Sequence, residues 1–161
     1  MKQQLKFDLT TKIISTIVIA IPFVMIFAQN TFINDNNVIL DITAIFLFIT
    51  YFITWMLHPT SYEITTETLL IHRPLGSIKI KLSTIQEIFR TEPGFSMRLF
   101  GSGGLFGYFG LFSSNKLGRH HRYTGNNENL VLLNAGKKKY LLSIHDELFF
   151  QELIKHKKIA S

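Results

Sequence analysis

Two apolar stretches near the start of the chain constrain its fold more than any other feature. Ile13–Ala28 (IISTIVIAIPFVMIFA) runs for sixteen residues without a charge, and Val38–Leu57 runs for twenty with only Asp41, close to its start. As helices they extend about 24 and 30 Å, against a hydrocarbon core of about 30 Å. Leu9 and Phe32–Ile33 can lengthen the first, with Lys12 snorkelling to the interface. Pro22 predicts a kink of the kind that bilayer helices tolerate. Tyr51 and Trp55 sit where an interfacial aromatic belt would place them. Two membrane spans, over 13–28 and 38–57, are therefore expected within an N-terminal segment 1–57.

Charge sets the expected topology. Lys2, Lys6 and Lys12 precede the first span, 14 basic residues follow the second, and residues 13–57 contain no Lys or Arg. The connector Gln29–Asn37 is polar and lacks a basic residue. The positive-inside rule then predicts a multi-pass protein of the cell (inner or plasma) membrane with both termini cytosolic. A cleavable signal peptide is the alternative for the first stretch, and Ile26 at position −3 of its cleavage site disfavours it. Asp41 is expected at the outer headgroups. The net charge of +6 favours anionic surfaces, of which lipid headgroups are the nearest. No segment concentrates that charge with groove-reading spacing, so no nucleic-acid partner is expected. The chain has no cysteine, which excludes disulfides, thiolate metal sites and thiol catalysis.

After His58-Pro59 the pattern changes to β. Tyr62–Thr66, Thr68–Arg73 and the alternating Ser77–Leu82 read as strands, with Pro74-Leu75-Gly76 as a turn. Thr84–Arg90 fits a short helix or a strand equally well. Leu130–Asn134 and Lys139–Ile144 read as a late strand pair. A helix closes the chain: Ser143 is the expected cap, Asp146 stands at the capping-box position, and Phe149/Leu153 and Phe150/Ile154 provide the apolar spacing. Lys155, Lys157 and Lys158 suit its C-terminal end. The expected architecture of 58–161 is about seven strands in a small barrel or sandwich capped by one C-terminal helix.

Phe100–Gly110 is the most unusual segment, with glycine at 101, 103, 104, 107 and 110. It fails the dinucleotide fingerprint because Phe106 stands where the third glycine is due, and it lacks a Walker lysine. The favoured reading is structural, a strand–turn–strand in which Gly101, Gly103, Gly104, Gly107 and Gly110 permit bends and close approach. An aromatic-tipped loop dipping into the bilayer interface is the second reading. Leu117–Tyr123 gathers Arg119, His120, His121 and Arg122. Neighbouring histidines on a strand point to opposite faces, so no metal site is expected. Arg119 and Arg122, with Lys137, Lys138 and Lys139, form a candidate anion or lipid-headgroup site; a solvated basic face is the plainer alternative. Ser113, His120 and Glu128 could be assembled into a triad on paper, but no spacing selects them. No catalytic residue, cofactor or enzymatic activity is expected.

Ser61–Ile154 resembles the bacterial pleckstrin-homology-like (PH-like) domains, in their membrane-tethered form with a two-helix hairpin in front. Tyr62–Thr65, Ile78–Ile80 with Ile85–Ile88, Leu117-Gly118 with Tyr123, and Ser143 with Asp146 and Phe149 carry the likeness, and above all Arg98–Gly110 does. Ser143-Ile144 stands where Ser-Pro would be typical. The resemblance implies a bent seven-strand barrel with a C-terminal helix, and no catalytic residue or cofactor. It fixes no ligand, because such folds take lipid, peptide and protein alike. The leading expectation is a membrane-anchored module that binds an unknown protein or itself at the cytosolic surface. Recognition of anionic lipids by the basic face is the alternative, and a nucleotide-using enzyme ranks below both.

Overall fold

The computed structural model describes residues 1–33, 38–92 and 94–160. Two long helices, α1 (Leu9–Ala28) and α2 (Val38–Leu57), precede a β-rich domain. Asp8 caps α1, its carboxylate accepting a hydrogen bond from Thr11 N at 2.7 Å. A π-helical turn, Gln29–Ile33, continues α1; residues 34–37 of the expected connector lie outside the described residues. The helices pack on each other through Phe23 and Phe48, whose rings meet edge to face at 5.3 Å. Their other faces are bare: Phe27, Val38, Ile39 and Phe46 are all at least 65% exposed. A helix buried in a soluble core would hide such residues, so the bilayer is the solvent for which these helices are built.

The β-domain holds two antiparallel-rich sheets. The first has four strands in sequence order: β1 (Lys2–Gln4), β2 (Ser61–Ile64), β3 (Thr68–His72) and β4 (Ser77–Lys81). The second contains β5 (Ile85–Arg90), β6 (Ser96–Gly104), β7 (Gly107–Ser114), β8 (Gly118–Thr124), β9 (Leu130–Ala135) and β10 (Lys138–Ser143), in the order β5-β9-β10-β8-β7-β6. Among the described residues only β8 and β10 pair in parallel. The β-rich, helix-capped plan matches expectation, but the described residues form ten strands in two sheets instead of about seven in a closed barrel. The ambiguous Thr84–Arg90 resolves into the end of a 3-10 turn followed by β5, because Asn134 and its neighbours on β9 supply a ladder for it.

The core lies between the sheets and under α3 (Glu147–Ala160). Tyr62, Leu69 and Ile71 from the first sheet meet Val131, Leu133 and Leu142 from the second, and Phe149 and Leu153 close the open side; all are fully buried. Each such side chain contributes about 1.5–3 kcal/mol by leaving water. The α3 cap is Asp146 and not Ser143: its carboxylate accepts from Leu148 N at 2.9 Å and Phe149 N at 3.4 Å. Ser143 is already committed, since its hydroxyl accepts from Gly125 N and its amide donates to the Tyr62 hydroxyl.

Three attachments fix the domain against the helices. The tail before α1 supplies β1, which pairs with β2 and places Leu5 in the core. The amide of Gln3 bridges Ser143 O and Asp146 N. The β3–β4 turn docks on the end of α2 through Leu75 N and Met56 O, 2.9 Å apart. The β6–β7 turn lies along the helices, with Phe106 N donating to Ser15 Oγ at 3.0 Å and the Phe106 ring against Tyr51 at 4.7 Å.

Candidate functional site

The glycine-aromatic segment folds as a hairpin, β6 and β7, whose two-residue turn is Leu105-Phe106. Gly101 faces Gly110 across it, both with φ above +100°. Gly104 and Gly107 flank the turn with φ of +135° and +103°, while Gly103 lies in β6 beside Arg98. Being last in the sheet order, β6 leaves one edge of its backbone unpaired. Apolar side chains accompany that edge: Phe95 is 80% exposed and Phe100 78%, with Met97 and Leu99 also exposed.

Beside β6 a groove of about 750 Å³ opens, lined by Phe95, Ser96, Arg98, Tyr108 and Phe112, with Arg122 at its floor. Arg122 is only 4% exposed. Its guanidinium donates to Thr124 Oγ1 at 3.0 Å and to the Asn127 side-chain carbonyl, and lies 4.6 Å over the Tyr108 ring. Burial, above all, lowers its pKa to about 10, so it stays charged at neutral pH. Among the described residues no carboxylate forms an ion pair with it. Ser96, on the groove wall, has a buried hydroxyl without a hydrogen-bond partner. Its hydrogen-bond partners are all neutral, Asp8 acts on it only through space, and Glu92 lines the same groove, so a cation without a directly bonded carboxylate faces an opening that an anion could enter.

The expected basic site divides. Arg119 and Arg122 are three residues apart on β8 and so point to opposite faces, one exposed and one buried. Arg122 is thus not the exposed member of a surface patch. Lys137, Lys138 and Lys139 are exposed at the β9–β10 turn, and Lys139 Nζ donates to Leu117 O at 3.0 Å. The parallel pairing of Tyr140 with His121 carries these lysines to the Arg119 end of β8. That end lies about 17 Å along the strand from Thr124, which borders the turn on the helices. The spacing exceeds a Debye length of about 8–10 Å. The structure therefore gathers Arg119 with Lys137–Lys139, remote from the helices, and keeps Arg122 in the groove.

His120 and His121 do point to opposite faces. His121 stacks on Tyr140 at 5.5 Å, while the buried His120 bonds Gly118 O through Nδ1 and leaves Nε2 without a partner. Burial lowers the pKa of both. No hydrogen bond joins His120 to Ser113 or Glu128 among the described residues. Sequence reasoning missed Arg98, Tyr108 and Ser96 as groove residues; the even spacing of His120, Arg122 and Thr124 was the available signal that Arg122 faces inward.

A Bacterial PH domain family model matches residues 60–158. The chain belongs to the bacterial PH domain family. No curated protein and no solved structure matches it. Bacterial PH domains are in general binding modules without catalysis, and here one is joined to two helices apolar and long enough to cross a membrane.

Proposed function

We propose that this PH domain is a membrane-anchored docking module whose β6 groove takes an extended, acidic segment of a protein partner or of a second copy. The observation that carries this reading is Arg122, a buried guanidinium whose hydrogen-bond partners are all neutral, at the floor of an open groove. The free edge of β6 supplies backbone donors and acceptors for an added strand, and Phe95, Met97 and Leu99 supply apolar contacts. An aspartate or glutamate reaching Arg122 would complete its bonding. Two helices in the inner or plasma membrane, with both termini cytosolic, hold the groove at the cytosolic surface. Headgroup recognition by Arg119 and Lys137–Lys139 has weaker support, because those side chains lie far from the helices.

The test is affinity purification of the tagged full-length protein from crosslinked membranes, with Arg98→Glu as the matched variant. Arg98 is exposed on the groove wall, so its reversal leaves the core intact. A protein or a self-crosslink captured by the native chain and lost in the variant supports the reading. Equal capture by both overturns it.

A further inference from the structure

A second cavity, of about 340 Å³, lies between α1, α2 and the β6–β7 turn. Its walls span one depth on both helices. Lys12 and His58 stand at the domain side, whereas Ile19 and Tyr51 stand seven residues further along, about 10 Å deeper at 1.5 Å per residue. Phe106 closes it from the turn. The cavity thus passes from a polar rim to an apolar floor along helices that are bare to the bilayer.

The rim holds unused donors. Thr11, 2% exposed, lines the cavity, and its buried hydroxyl has no partner. Lys12 is exposed and forms no ion pair among the described residues. Asp8 lies one turn before it, but its carboxylate is engaged by Thr11 N at 2.7 Å and the Tyr108 hydroxyl at 3.4 Å. Ser15 and Thr16 donate to the carbonyls of Thr11 and Lys12, and Ser15 also accepts from Phe106 N. The positive charge at the rim is therefore Lys12, and the free hydroxyl is Thr11.

We infer that this cavity seats one anionic glycerophospholipid from the surrounding leaflet, its phosphate at Lys12 and Thr11 and the upper part of one acyl chain against Ile19, Tyr51 and Phe106. An amphiphile is the occupant that matches a cationic rim above an apolar floor at bilayer depth. The bound lipid would join the β6–β7 turn to both helices. The inference rests on the two helices crossing the bilayer, and it is independent of the groove at Arg122.

Native mass spectrometry of the detergent-purified full-length protein tests it, with dioleoyl phosphatidylglycerol, dioleoyl phosphatidylcholine and soluble glycerol phosphate as probes. One phosphatidylglycerol per chain is expected, preferred over phosphatidylcholine about five-fold, the factor that about 1 kcal/mol from one lysine gives. Lys12→Gln, at an exposed position, should abolish the preference. Ile19→Trp, filling the floor, should lower retention of both lipids while leaving the melting temperature near that of the native protein. Equal retention of the two lipids, or retention unchanged by both variants, overturns the seat. Binding of glycerol phosphate as tight as that of phosphatidylglycerol overturns the acyl contribution. Carbonate extraction of membranes is run in parallel: release of the protein would refute the membrane spans themselves, whereas a retained protein without lipid preference refutes only the seat.

Discussion

Gly101 and Gly110 face each other across the β6–β7 hairpin so closely that neither has room for a side chain. A Cβ on Gly101 would lie 2.1 Å from Phe109 O, and one on Gly110 would lie 2.2 Å from Phe100 O. Both also have φ above +100°, a region that disfavours any residue with a Cβ. The pair lets the hairpin bend so that its turn rests on the helices while β6 flanks the groove.

Gly110→Ala is accordingly expected to cost about 3 kcal/mol or more, through backbone strain and displacement of the opposing strand. By contrast, Gly118→Ala meets no atom within 4 Å and has only its φ of +66° to oppose it. Its cost should be about 1 kcal/mol. Thermal melts of the two full-length variants compare them directly, and equal losses would refute the close-approach account.

Tyr62 ties the two sheets together. Its hydroxyl donates to Tyr123 O and accepts from Ser143 N at 3.2 Å, and the residue is fully buried. Tyr62→Phe leaves a buried carbonyl and amide without that partner, for an expected loss of about 1–3 kcal/mol. Burial also raises the phenol pKa to about 12, above the ordinary value of 10. The folded state then binds the proton more tightly than the unfolded state does. Stability contributed by this shift is complete below pH 10 and is lost as the pH rises from 10 to 12. Urea melts across that range should show a steeper alkaline decline in the native protein than in Tyr62→Phe.

The tail before α1 is predicted to be part of the β-domain's stability. Leu5→Ala removes a buried core side chain, and Gln3→Ala removes the bridge between Ser143 and Asp146. The expected losses are about 2–3 and 1–2 kcal/mol. A fragment beginning at residue 58 lacks β1 altogether and should melt below the full-length chain. Unchanged melting in all three cases would show that β1 adds nothing.

The legible parts of the fold were those whose signal is local. Long apolar runs, interrupted only by Asp41 near the start of the second, identify α1 and α2, and strict alternation identifies β4. Features that depend on tertiary pairing were not readable in this way. Lys2–Gln4 is too short and polar to announce a strand, and becomes one only because β2 offers an edge. Asp146 displaces Ser143 as helix cap because Tyr62 and Gly125, distant in sequence, claim the serine. Clustering of Arg119 and Arg122 suggested a shared surface, yet strand alternation separates them. The groove was invisible for a related reason. Arg98, Tyr108 and Arg122 come from three strands whose register follows from the bends in the glycine hairpin.

The central claim, a protein-binding groove at β6, is tested most directly by a photo-crosslinking amino acid placed at Met97 of the full-length protein in living cells. Met97 is exposed on β6 and borders Arg98. A discrete protein adduct is expected, of dimer mass if the partner is a second copy, that disappears on adding Arg98→Glu and persists with the probe-matched Arg119→Glu. Crosslinking to lipid alone, or an adduct indifferent to Arg98→Glu, would contradict the claim.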